Sequence, residues 1–180
     1  MPLSTVDPTP ALIVVDLQKG IAPHAPAEVI ANNVTLVDAF RAQGHPVVLV
    51  NVAGGAPGRT DQNPDGGARD IPAEATELLP ELGAADGDIL VTKRTWGAFH
   101  GTDLHEQLQQ RGVTQVFVTG VATSIGSEST ARQAHEHGYH VVLVADAMAD
   151  IDPANHDHAV AKIFPRLGQV TSTAEVVAAL

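Results

Sequence analysis

The sequence predicts an α/β fold: a doubly wound, six-stranded, mainly parallel sheet flanked by helices on both faces. Three observations predict it. Short, continuous apolar runs recur along the chain, the pattern of strands buried on both faces. Stretches with helical spacing fall between them from end to end, with no repeat and no linker. Lastly, polar residues punctuate the carboxyl ends of those runs, where sheets of this kind bind their ligands. They are Asp16, Lys93, the turn at 120–127 and Asp146, and one crevice could collect the first three.

Residues 11–15 (ALIVV) form the first strand and stop at Asp16. A loop containing Pro23 and Pro26 leads to a helix over 27–43, with Val29, Val34, Val37 and Phe40 on its apolar stripe and Gly44 ending it. Residues 46–52 are the second strand. The stretch 53–71, rich in glycine and broken by Pro57 and Pro64, is expected to hold no regular structure and to be either a functional loop such as a lid or disordered. Residues 72–83 are a short helical or extended segment, and 88–92 a third strand that runs directly into Lys93. A loop at 94–101 carries Trp96, the only tryptophan. Helix 102–111 follows, with Asp103 in its first turn and Gly112 after it. The fourth strand spans 114–119, and a helix reaches from the turn to about His137. A strand at 140–145 closed by Asp146, a helix at 153–164, a short strand at Val170 and a helix at 173–180 complete the chain.

Composition narrows the function. A chain of 180 residues suits one domain, 1–180, with a full core. The net charge of −11 and the lack of a basic run argue against nucleic acid and anionic membranes as partners. With no cysteine there are no disulfides, no thiolate metal sites and no thiol nucleophile. The first residues, MPLSTVDPTP, lack the basic and apolar regions of a signal peptide, and no apolar run approaches the roughly 20 residues of a membrane span. A cytoplasmic protein is expected.

The turn after the fourth strand draws most attention. A buried strand that bends sharply into a helix leaves N–H groups unpaired at the helix start, a ready site for developing negative charge. Thr123 and Ser124 read as caps for that helix. Ser127 reads as a helix-face residue that touches substrate rather than as a nucleophile, since no histidine is tied to it by motif.

Three segments, in this order, resemble the isochorismatase-like hydrolase family: ALIVVDLQKG (11–20), VTKRTWGAFHGTDL (91–104) and VTGVATSIGSESTARQAHEHGY (118–139). The tail at 156–176 is similar to the family as well. The resemblance implies a six-stranded parallel sheet and a homodimer or higher homo-oligomer. It also implies a site built from Asp, Lys and Cys, with a cis peptide joining Val121 to Ala122. Asp16 matches the family aspartate and Lys93 the lysine, and the cysteine position falls on Gly126. Most members are amidases that attack with a thiolate, a route closed to glycine. The isochorismatases proper also lack the cysteine and cleave a vinyl ether without a covalent intermediate, and this chain looks more like them.

The resemblance implies that Asp16 is the general acid/base and that Lys93 sets its protonation state. Gly126 is expected to leave room for substrate or water beside the N–H groups of Ala122 and Gly126, although it could merely relieve crowding where a helix packs on the sheet. Gln18, Trp96, Phe99, Val121, Ala122 and Ser127 are candidate substrate contacts, although Gln18 could merely cap and the two aromatics could merely cover the core edge. Arg59, Asp61 and Arg69 could close over a carboxylated substrate or bridge to a neighbouring subunit. The nine histidines lack metal-ligand spacing and read as a solvated, pH-sensitive surface, so no metal is expected. With no phosphate loop of the right spacing, no nucleotide cofactor is expected either. The function this implies is hydrolysis of a small polar metabolite through Asp16 and Lys93, of the vinyl ether type. The alternatives are amide or carbamoyl hydrolysis by activated water, and a catalytically silent member that only binds a ligand.

Overall fold

The computed structural model describes residues 3–180. The first apolar run forms β1 (Pro10–Val15), buried along its whole length. Around it the sheet assembles from β2 (Val47–Val52), β5 (Ile89–Lys93), β6 (Gln115–Val121), β7 (His140–Ala149) and β8 (Gln169–Thr171). Their order is β5-β2-β1-β6-β7-β8, and every neighbouring pair is parallel. The chain thus starts in the middle, builds outward on one side through β2 and β5, then returns to build the other side from β6. The crevice at this switch point lies between the carboxyl ends of β1 and β6, as expected for a doubly wound sheet.

Alternation along β1 splits the core in two. Leu12 and Val14 face the layer made by helices α1 (Ala27–Ala42) and α6 (Thr173–Ala179), through Val29, Leu36, Val37, Phe40 and Val176. Ala11, Ile13 and Val15 face α3 (Leu104–Gln110) and α4 (Glu128–Glu136), through Leu104, Leu108, Ala131 and Ala134. On the first layer, Asn33 of α1 is fully buried and donates to the carbonyls of Val29 and Ala147, which pins the helix to β7. Arg41, near the end of the same helix, clamps Asp88 at the entrance to β5. At the switch point β6 must lie unusually close to β1. Gly120 has φ +103°, and a Cβ there would sit 2.0 Å from the Val15 carbonyl oxygen, so only glycine fits.

Three expectations need correction. The strand expected to close at Asp146 continues to Ala149. Leu143 pairs with Val118 and Met148 with Gly120, so the intervening residues bulge out of the ladder. Asp146 sits in this bulge and accepts hydrogen bonds from the Thr173 N–H and hydroxyl, anchoring α6 instead of ending a strand. The loop at 53–71 does contain ladder structure: β3 (Gly54–Gly55) pairs antiparallel with β4 (Arg69–Asp70), drawing its two ends together. The stretch 153–164 is α5 (Pro153–His158) followed by a wider helical turn, Ala159–Ile163, rather than one helix. Between β4 and β5 lies one helical turn, α2 (Ala73–Thr76).

Candidate active site

Strand β1 ends because Asp16 adopts φ +55°, a left-handed conformation that aspartate tolerates better than most residues. Its N–H still pairs with the Val50 carbonyl at 2.9 Å, so the turn begins at this residue. Lys93 closes β5, on the far side of β2. From there its side chain reaches back to place Nζ 2.7 Å from Asp16 Oδ2, donating also to the Thr95 carbonyl at 3.2 Å. Both residues are buried, at 4% and 2% exposure. Burial pushes the Asp16 carboxyl up to about 6, although the Lys93 ammonium pulls in the opposite direction. Asp16 Oδ1 has no hydrogen-bond partner among the described residues.

The turn after β6 completes the cluster. The Val121–Ala122 peptide is cis, where the resemblance placed it. Thr123–Ser127 then makes one wide helical turn leading into α4. Gly126 in that turn backs directly onto Asp16: a Cβ there would lie 3.1 Å from Asp16 Oδ2, 3.0 Å from Val15 Cγ1 and 3.3 Å from the Val121 carbonyl oxygen. Asp16, Lys93 and Gly126 therefore meet. The missing side chain leaves no void at that point, contrary to expectation, because the turn packs tightly on β1.

Space lies instead on the other side of the turn. A cavity of about 270 Å³ is walled by Val121 and Ala122 with Ile21, Ala25, Asp150 and Ile151 among its other lining residues. Val121 and Ala122 thus keep their place beside the open space. Nothing in the sequence singles out Asp150. It lies just past β7 and accepts from both the N–H and the hydroxyl of Ser124, at 2.7 and 2.8 Å. Burial pushes its carboxyl up, but the Ser124 bonds and the N–H groups of Asp152 and Ile151 outweigh this and hold it below the usual range. Asp150, not Thr123 or Ser124, caps the turn. Thr123 is fully buried and shares a 2.8 Å hydrogen bond with His156 Nδ1, tying the turn to α5.

Four other candidates are placed away from this cavity. Gln18 is fully buried and spent on the backbone. Its Nε2 donates to the Val52 and Ala75 carbonyls and its Oε1 accepts from the Val52 N–H. It is a strut between β2 and the α2 segment. Gln18→Leu, which removes all three bonds, is expected to cost about 2–3 kcal/mol and to lower the melting temperature visibly in a thermal scan. Phe99 is a core residue, with its ring 5.3 Å from that of His137 and 5.9 Å from that of Tyr139. Trp96, 63% exposed, lines a separate groove of about 460 Å³ with Arg69 and Asn63 of the 53–71 loop. Ser127 is fully buried, and its Oγ has no partner among the described residues. Ser127→Ala should therefore raise stability by about 1 kcal/mol in a denaturant titration and leave turnover unchanged.

Of the charged residues of the loop, Asp70 pairs with Arg94. At the amino ends of the strands, the His137 ring stacks on His105 at 4.0 Å, and burial followed by the His105 charge lowers the His137 pKa. Among the described residues no group of three or more His, Asp and Glu is placed to hold a metal ion. Nor is any helix long and apolar enough to cross a membrane.

A family model, the isochorismatase domain, matches residues 10–175, which span this sheet and both halves of the site. The chain belongs to the isochorismatase family. The isochorismatase family protein YwoC of Bacillus subtilis is 44% identical, over 92% of this chain and 90% of its own. Nicotinamidase 3 of Arabidopsis thaliana is 33% identical, over 82% of this chain and 76% of its own. An isochorismatase family protein from Burkholderia thailandensis has a solved structure that superposes with a TM-score of 0.89 at 40% identity, covering 99% of this chain and 98% of that one. The six-stranded parallel sheet between helical layers is therefore the isochorismatase fold.

Proposed function

We propose that this isochorismatase-family hydrolase works without a covalent intermediate, with Asp16 moving the proton and Lys93 holding it in position. One observation carries the reading: a buried carboxyl with a pKa near 6, hydrogen-bonded to a buried ammonium, faces glycine in a chain without cysteine. A group poised near the working pH can both give and take a proton.

For a vinyl ether the steps balance as follows. Protonated Asp16 delivers its proton to the terminal carbon of the C=C–O unit, leaving an oxocarbenium ion and the Asp16 carboxylate. Water adds to the cationic carbon and returns a proton to Asp16. The hemiketal so formed collapses to a carbonyl compound and an alcohol. Lys93 stabilises the carboxylate between the two proton transfers. Substrate would be held in the cavity walled by Val121 and Ala122, across the turn from this pair.

The deciding measurement is turnover of isochorismate, an uncharged vinyl ether and a set of small amides between pH 5 and 8. Vinyl ether cleavage whose kcat falls as pH rises through about 6 supports the acid role. Amide cleavage whose rate rises through the same pH would mean that ionised Asp16 activates water at a carbonyl. Silence on every compound would support a ligand-binding role.

A further inference from the structure

The cavity beside the turn carries a charge pattern that the proton chemistry does not use. Its lining is mostly apolar, from Ile21, Ala25, Val121, Ala122 and Ile151, and Asp150 is the one charged residue among the described residues that line it. Both Ser124 bonds fall on Asp150 Oδ2, and the N–H groups of Asp152 and Ile151 also hold the carboxylate in the cavity wall. Those bonds also keep the carboxylate ionised and fixed in place. Among the described residues that line the cavity there is no lysine or arginine to balance it. Lys93 is spent on Asp16 and Lys19 on Glu77, while Arg94 pairs with Asp70.

We infer that Asp150 is a specificity-determining residue: the cavity takes a small apolar molecule that presents an N–H donor, uncharged or cationic, and rejects carboxylates. The inference rests on the reading that substrate sits in this cavity, across the turn from Asp16. The physical argument is direct. A fixed negative charge in a mostly apolar pocket attracts a donor or cation within reach and repels an anion, and low polarity around it strengthens both effects. An anionic substrate would meet the Asp150 carboxylate, with no lysine or arginine among the described residues that line the cavity.

The test uses three ring compounds of matched size and different charge: benzamide, benzamidine and benzoate. Each is titrated into the full-length protein while the methyl resonances of Ile21 and Ile151 are followed by NMR, so that binding is located in this cavity. Benzamidine and benzamide should shift both methyls, with benzoate at least about tenfold weaker than benzamide. In Asp150→Asn, whose Oδ1 can still accept from Ser124, the benzoate deficit should shrink to within about threefold and the benzamidine advantage should vanish. Benzoate binding as tightly as benzamide would overturn the proposal, as would an unchanged order in the variant or no shift with any of the three. The wild-type order alone decides should the variant prove unstable. Since the order is read without turnover, its failure leaves the Asp16 chemistry standing. A loss of turnover in Asp16 variants, conversely, leaves the order intact.

Discussion

Asp16→Asn is expected to lower turnover by about a thousandfold or more, the loss typical of removing a positioned proton donor. The amide matches the carboxyl in shape, so the loss would report the proton and not the packing. Its pH signature is equally specific. The folded-state pKa of about 6 lies above the ordinary 3.8, so the native state binds the Asp16 proton more tightly than the unfolded chain does. The stabilisation from this group is complete below about pH 4 and is lost as pH rises through about 6. Melting temperatures of the wild type should therefore fall across that interval by more than those of Asp16→Asn. Parallel curves for the two proteins would refute the buried-carboxyl account, whatever the kinetics show.

Lys93→Met is expected to be the most destabilising single change in the site. It removes the cation from a buried pair and leaves the Asp16 carboxylate with no compensating charge, at a cost of about 3–5 kcal/mol. For a chain of this length that corresponds to about 10 °C or more in melting temperature. The deficit should be greatest at neutral pH and shrink in acid, because without Lys93 the Asp16 pKa rises further and the group accepts a proton. The double variant Asp16→Asn, Lys93→Met should recover most of the lost stability, since it leaves neither charge alone. If instead the double variant melted at the sum of the two single losses, the two residues would not be acting as a pair.

The sheet and the Asp16–Lys93–Gly126 cluster were legible in the sequence for one physical reason. Strands buried on both faces must be written as unbroken apolar runs, so the polar residue that ends each run stands out. The resemblance then supplied the register between distant segments and placed the cis peptide at Val121–Ala122. Other residues escaped because their partners are remote. Gln18 looks like a site residue until its three bonds to Val52 and Ala75 are seen. Phe99 gives no sign that it packs on His137 and Tyr139. Asp150 was hidden behind Asp146, which reads as the end of a strand and is in fact a bulge; the strand that delivers Asp150 to the cavity resumes after it.

The close contact at Gly126 also bears on how this protein could change chemistry. Installing a thiol by Gly126→Cys alone would force its Cβ against Val15 Cγ1, the Asp16 carboxylate and a backbone oxygen, all within 3.0–3.3 Å. Of the three neighbours, only Val15 can be trimmed without removing the acid or moving the strand. A route to covalent catalysis thus passes through Val15→Ala first, a step with a core cavity as its cost and no catalytic gain of its own. Taken in the reverse order, the same two substitutions would press the new Cβ against Val15 Cγ1 at 3.0 Å until that neighbour is trimmed. The order of steps, more than their number, would separate this chain from the thiol enzymes.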